Sequence, residues 1–131
     1  MRQRSIINGC IPADRCIAVQ NGSPPVQNAS DQRTLSRRML GISEESFVCI
    51  TTGCAHAYKR FDFVIGTAEL VAKALPDSSV VFLPVGDGPA MDDLQRLVRN
   101  KNLEDTVRLL GFRSDTRKLL PAANAAMRAF R

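Results

Sequence analysis

The chain has 131 residues, 44% apolar and 24% charged, which suits one soluble domain with a little flanking material. No tryptophan, one tyrosine and six phenylalanines exclude an aromatic-rich nucleic-acid platform. The net charge of +5 is spread, with 6 Lys+Arg against 4 Asp+Glu before Phe47 and 12 against 9 from there on, so no basic block marks a nucleic-acid tail.

No apolar run approaches the roughly 18 residues of a membrane span. Residues 5–18 carry Asn8, Asp14 and Arg15 where a signal peptide would be apolar. The chain is therefore expected in the cytoplasm, with Cys10, Cys16, Cys49 and Cys54 as reduced thiols. Its charge suits an anionic ligand or an acidic membrane surface without demanding either. Cys54 and His56 lack the CxxC partner that a metal site would need, so no metal is expected.

In chain order, a short strand is expected at 16–19. Asn21-Gly22-Ser23-Pro24-Pro25 is a breaker cluster, and 21–31 reads as a linker. A helix follows with Leu35, Met39 and Leu40 on one side, stopped at Gly41. Phe47–Thr52 is a β-rich run too apolar to be half exposed, as a strand covered on both faces should be. The polar loop 53–60 leads into a helix over 62–75, where Val64, Ala68, Val71 and Leu75 keep a helical spacing until Pro76 closes it. Val80–Val85 is the second strand, although Pro84 lacks an N–H for the sheet and predicts an early end.

Gly86-Asp87-Gly88-Pro89 opens the next helix. Pro89 is expected at its first position, with Asp92 and Asp93 in the first turn, Arg96, Arg99 and Lys101 near the end, and Leu94, Leu97 and Val98 buried. A third strand is expected at 107–110, then Gly111, then a helix capped by Ser114 or Asp115 and interrupted at Pro121. This is β-α-β-α-β-α, an α/β layer of Rossmann type with a parallel sheet and right-handed crossovers.

In such a sheet every strand-to-helix loop leaves the carboxyl edge, where ligands bind. Three loops distant in sequence are thereby grouped: Gly53 to Lys59 and Arg60, then Gly86-Asp87-Gly88-Pro89, then Gly111-Phe112-Arg113. Glycine beside a helix start lets a phosphate reach backbone N–H groups, and Lys59 and Arg60 supply cations. Together the loops form a diphosphate cradle. Taken singly, Lys59 and Arg60 read as readily as a solvated pair and Gly86 and Gly88 as a tight turn. Asp87 reads as a turn or cap residue, and His56 as a surface loop residue.

The order of the pieces is more specific than any one of them. Val19-Gln20-Asn21-Gly22, Arg38-Met39-Leu40-Gly41-Ile42, Gly53, Lys59 and Val85-Gly86-Asp87-Gly88-Pro89 fall in sequence. Leu103-Glu104-Asp105-Thr106-Val107, Leu110-Gly111-Phe112 and Leu120-Pro121-Ala122-Ala123-Asn124 follow. From about Cys16 the chain resembles the group 1 (family 4) retaining glycosyltransferases, which have two facing Rossmann-like domains (GT-B). The resemblance is chiefly to the first half of their C-terminal, donor-binding domain.

The resemblance implies transfer of a sugar, of the hexosyltransferase type, from a nucleoside-diphosphate sugar to an acceptor hydroxyl with retention and without a metal or other cofactor. Lys59 would contact the diphosphate beside Gly53 and Arg60. Gly86, Asp87, Gly88 and Pro89 would shape the donor pocket, and Leu110, Gly111, Phe112 and Arg113 would lie against the nucleobase. No nucleic-acid partner is implied, and the full-length enzyme would be cytoplasmic or at a membrane surface.

The chain departs from the pattern at Cys54, where arginine is common, at Arg60, where glycine is common, and at Asn124, where aspartate is usual. Residues 1–31 are expected to be an interdomain remnant and linker, and 32–131 a partial nucleotide-sugar-binding domain. After Asn124 the expected apolar strand is poor, and the family's paired-glutamate segment and nearly all of its acceptor domain are expected to lie outside this stretch. A truncated chain of this kind is expected to be inactive alone and prone to self-association through uncovered sheet edges. A non-catalytic nucleotide-binding or regulatory α/β module is the other reading of the same residues.

Overall fold

A computed structural model describes residues 25–128. The strand expected at 16–19 and the first residues of the linker, 21–24, lie outside those residues, as do Cys10 and Cys16. The described elements are α1 (Ala29–Leu40), β1 (Phe47–Thr52), a 3-10 turn (Ala57–Lys59), α2 (Phe61–Ala74), β2 (Val80–Val85) and α3 (Met91–Asn100). Then come α4 (Thr116–Leu119), a second 3-10 turn (Leu120–Ala122) and β3 (Ala125–Ala126). Helix α1 begins at Ala29, so the last residues assigned to the linker are helical. Proline 89 lies in the turn before α3 rather than at its first position.

The sheet is parallel with the order β2-β1-β3, and β1 pairs with β2 from Phe47↔Val80 to Thr52↔Val85. The third expected strand does not form as one, since 107–110 makes a single isolated bridge and runs irregularly beside β2. Val107 bridges Phe82, and a run of bonds joins Phe82 N to Thr106 O, Arg108 N to Phe82 O, Leu110 N to Pro84 O and Gly86 N to Gly111 O. Proline 84 does not end β2. In a parallel ladder a residue's N–H and C=O point to the same neighbour. The missing N–H therefore removes one bond to the 107–110 segment and leaves the β1 ladder whole.

Alternating strand residues fill two cores. Cys49, Phe82 and Val107 meet Phe61, Val64, Ile65 and Ala68 of α2 and Leu94 and Val98 of α3. On the other face Val48, Ile50, Val81, Leu83 and Val85 meet Ile42 and Leu119. Both faces of the sheet are covered, as the uninterrupted apolar strands require. Gly41 ends α1 at φ 59°, its N–H donating to Arg38 O, while Ile42 N–H donates to Arg37 O.

Helix α1 docks chiefly by polar side chains, with Leu40 of its apolar side reaching the second core. Leu35 and Met39 are exposed, whereas Ser36 and Arg37 are fully buried. The Ser36 hydroxyl donates to Lys118 O at 2.8 Å. Arg37 donates to Ala122 O at 3.0 Å, Ser43 O at 2.7 Å, Glu44 O at 2.8 Å and Asn124 Oδ1 at 2.8 Å. Asn124 Oδ1 also accepts from Val48 N–H at 2.9 Å, so the guanidinium is tied through one amide to β1. Burial, aided by nearby Arg33, lowers the pKa of Arg37 from its usual value. The poor strand after Asn124 does form. Asn124 N–H donates to Val48 O and Met127 N–H to Ile50 O, which sets Ala125–Ala126 beside β1.

Removing the Arg37 guanidinium takes the donor from one buried acceptor, Ala122 O, and from three part-buried ones, and an acceptor left unmet in a buried place costs about 1–3 kcal/mol. Arg37→Leu is expected to destabilise the chain by about 1–3 kcal/mol, while Arg38→Leu on the exposed side changes stability by less than about 0.5 kcal/mol. Urea unfolding midpoints compare the two.

A second prediction concerns pH. Glu69 on α2 accepts from Lys73 and from Lys101 at the end of α3. The bonds from Lys101, then Lys73, depress its pKa from 4.5 to about 2. A depressed carboxylate stabilises the fold above its unfolded pKa and loses that contribution as pH falls through the folded one. The gap in melting temperature between wild type and Glu69→Gln is expected to be full above pH 4.5 and to close as pH falls toward 2. A gap independent of pH contradicts it.

Candidate donor-binding cleft

Because all strands run in one direction, the loops after β1, β2 and the 107–110 segment leave one edge. Three bonds fix their depth: Gly53 N–H to Val85 O at 3.0 Å, Ala55 N–H to Asp87 O at 3.0 Å and Gly86 N–H to Gly111 O at 2.8 Å. The fit has no room for a side chain. A Cβ on Gly86, whose φ is 141°, would sit 1.6 Å from Gly53 O, and one on Gly88 would sit 2.7 Å from Ala55 O.

Between the loops lies a cleft of about 330 Å³, lined by Thr52, Gly53, Cys54, Val85, Gly86, Asp87, Phe112, Arg113 and Thr116. Of the residues singled out from sequence, Gly53, Gly86, Asp87, Phe112 and Arg113 meet here. Leu110 packs on the second core instead. Gly88 backs onto Ala55, and Gly111 adopts a left-handed turn at φ 63° that feeds Phe112 to the rim, 78% exposed.

The amides of Gly53, Gly86 and Gly88 are already engaged, the last by Asp87 Oδ1 at 2.8 Å. Asp87 thus serves its own turn, and these glycines contribute close approach rather than donors. Arg113 lies at the cleft in a two-point pair with Asp115, Nε–Oδ1 and Nη2–Oδ2 both 2.7 Å. That pairing holds the Asp115 carboxyl below its usual range and raises the Arg113 guanidinium. It also leaves α4 without the side-chain cap expected from Asp115.

The Lys59 stem lies against Gly53, its Cγ, Cδ and Cε 3.7–3.8 Å from where a Cβ would be. Arg60 takes another direction. It occupies the left-handed region at φ 52° and its Nε and Nη2 grip Asp62 at 3.0–3.2 Å. The Arg60 side chain borders a separate groove of about 440 Å³ between α2 and α3, floored by Phe61, Ala90, Leu94 and Leu97. It is therefore not brought to the cleft. Thr52 and Thr116 line the cleft but carry no motif. Their signal was positional, since Thr52 ends a strand and Thr116 starts a helix.

Cys54 is exposed in the cleft, while burial raises the Cys49 thiol pKa and keeps that thiol inert. Among the described residues no three His, Cys, Asp or Glu side chains gather to hold a metal ion. Among the same residues no helix is long and apolar enough to cross a membrane.

A family model described as Glycosyl transferases group 1 matches residues 45–130. The chain is 31% identical over 90 residues to the uncharacterized glycosyltransferase MJ1059 of Methanocaldococcus jannaschii, covering 69% of this chain and 22% of that protein. It is 32% identical over 103 residues to the UDP-Gal:alpha-D-GlcNAc-diphosphoundecaprenol alpha-1,3-galactosyltransferase of Escherichia coli, covering 76% of this chain and 25% of that protein. The chain thus spans about a quarter of the length of these curated relatives. Anabaena Alr3699/HepE in complex with UDP-glucose has the same fold, with a TM-score of 0.74 at 24% identity over 98% of this chain and 35% of that one.

The close contact at Gly86 yields a graded prediction. Gly41→Ala meets no neighbouring atom, so it costs only the left-handed strain of about 1–2 kcal/mol. Gly86→Ala must push β1 and β2 apart at the cleft and is expected to cost clearly more, measured by thermal melting of both variants.

Proposed function

The chain belongs to the group 1 glycosyltransferases, and on that premise we propose that it forms the donor-binding face of an enzyme that moves a sugar from a nucleoside diphosphate to an acceptor hydroxyl with retention. The observation that carries the proposal is the cleft at the carboxyl edge, closed by glycine contacts too tight for any side chain, with the Lys59 stem against Gly53 of its lining. Solved structures of HepE hold UDP and UDP-glucose, and their likeness to this chain supports a nucleoside-diphosphate ligand here.

In this reading the chemistry demanded of the chain is electrostatic. As the bond from the sugar C1 to the diphosphate breaks, negative charge grows on the departing phosphate, and a fixed cation lowers that barrier. Lys59 is that cation, and no resident metal takes part. Gly86 lets the strand ends close beneath the cleft, while Phe112 and Arg113 border the space left for the nucleobase. Arg60, held by Asp62 and turned to the other groove, has no role in the step.

Lys59→Ala is expected to weaken UDP binding by about 1.5–3 kcal/mol, the scale of a charge-assisted hydrogen bond. Calorimetric titration measures it, and unchanged affinity removes Lys59 from the diphosphate site.

A further inference from the structure

Lys59 and Tyr58 are consecutive residues of one 3-10 turn, and neighbours in a helical turn do not ordinarily face each other. Here they do. The Lys59 Nζ stands 5.4 Å from the Tyr58 ring centroid, within the range of a cation–π contact. The lysine stem lies along Gly53, with its Cγ, Cδ and Cε 3.7–3.8 Å from where a Cβ would be. The ring is itself held, because His56 packs on Tyr58 at 4.6 Å between centroids, tilted by 39°. The backbone beneath is pinned by Lys59 N–H to His56 O at 2.8 Å and Ala90 N–H to Ala55 O at 3.0 Å.

We infer that Tyr58 is a positioning residue, an aromatic seat that holds the Lys59 ammonium at the cleft before a nucleoside diphosphate arrives. The inference rests on the proposed role of Lys59. A lysine carries many rotamers on its flexible stem, and a ligand that must gather them loses affinity. A seat on an aromatic face removes part of that cost in advance. Tyr58 never touches the ligand in this scheme, and it acts only through Lys59. Its own side chain is half exposed, so substitution there spares the core.

Calorimetric titrations of UDP and uridine into the full chain test this, using Tyr58→Leu, Tyr58→Phe, Lys59→Ala and the double variant that combines Tyr58→Leu with Lys59→Ala. Tyr58→Leu is expected to weaken UDP about 2- to 5-fold, the scale of an exposed cation–π contact, and to leave uridine unchanged. Tyr58→Phe, which keeps the aromatic face, is expected to restore wild-type affinity. In the Lys59→Ala background the Tyr58→Leu change is expected to have no further effect. Loss of UDP affinity in Lys59→Ala but not in Tyr58→Leu overturns the seat and leaves the lysine assignment standing. Equal loss of uridine and UDP in Tyr58→Leu also overturns it, since that pattern marks a general distortion. An unchanged Lys59→Ala overturns the diphosphate assignment itself, and the seat with it.

Discussion

Between the carbonyl oxygen of Gly53 and the α-carbon of Gly86 there is no space for a side chain. The ends of β1 and β2 can close to this distance only because position 86 bears hydrogen alone, and Gly88 repeats the arrangement one step further against Ala55. Ala55 N–H to Asp87 O and Gly86 N–H to Gly111 O then lock three loops at one depth. The cleft is a consequence of that closure. Its walls are strand ends and loop backbone, and its polar side chains are those of Thr52, Cys54, Asp87, Arg113 and Thr116, with Lys59 alongside Gly53.

The far side of the sheet is held by different physics. Helix α1 buries a serine and an arginine, and their polar groups find backbone partners in the 43–44 turn and in the segment that leads into β3. A buried guanidinium is costly unless its donors are met, and here each of the nitrogens that bond reaches an oxygen. Asn124 is the junction, accepting from Arg37 and from Val48 N–H. An aspartate there would bring a countercharge. With asparagine, the positive charge of Arg37 rests on neutral oxygens, with the half-exposed Glu44 carboxylate nearby at 4.0 Å. This network hangs the short β3 on β1.

The alternation of apolar runs with amphipathic stretches made the sheet, its direction and the grouping of three loops legible in the sequence, because those features depend on periodicity. Gly41 and Pro121 were legible for a similar reason, since each acts on its own backbone. The burial of Ser36 and Arg37 on α1 was hidden, because hydrogen bonding to a distant segment decides it and apolar spacing carries no sign of that. The direction of Arg60 was hidden too. Its left-handed backbone and its grip on Asp62 turn it toward the α2–α3 groove, and neither is visible in spacing. The engagement of the glycine amides depends on which carbonyls lie opposite, which only the register of the folded loops reveals.

The central claim is that the glycine-closed edge, and not the larger α2–α3 groove, receives a nucleoside diphosphate. Amide chemical shifts of the isotopically labelled chain during a UDP titration test it most directly. The account predicts the largest changes at Gly53, Cys54, Gly86, Asp87, Phe112 and Arg113, around the carboxyl-edge cleft. Changes centred on Phe61, Ala90 and Leu94, which line the other groove, would contradict it.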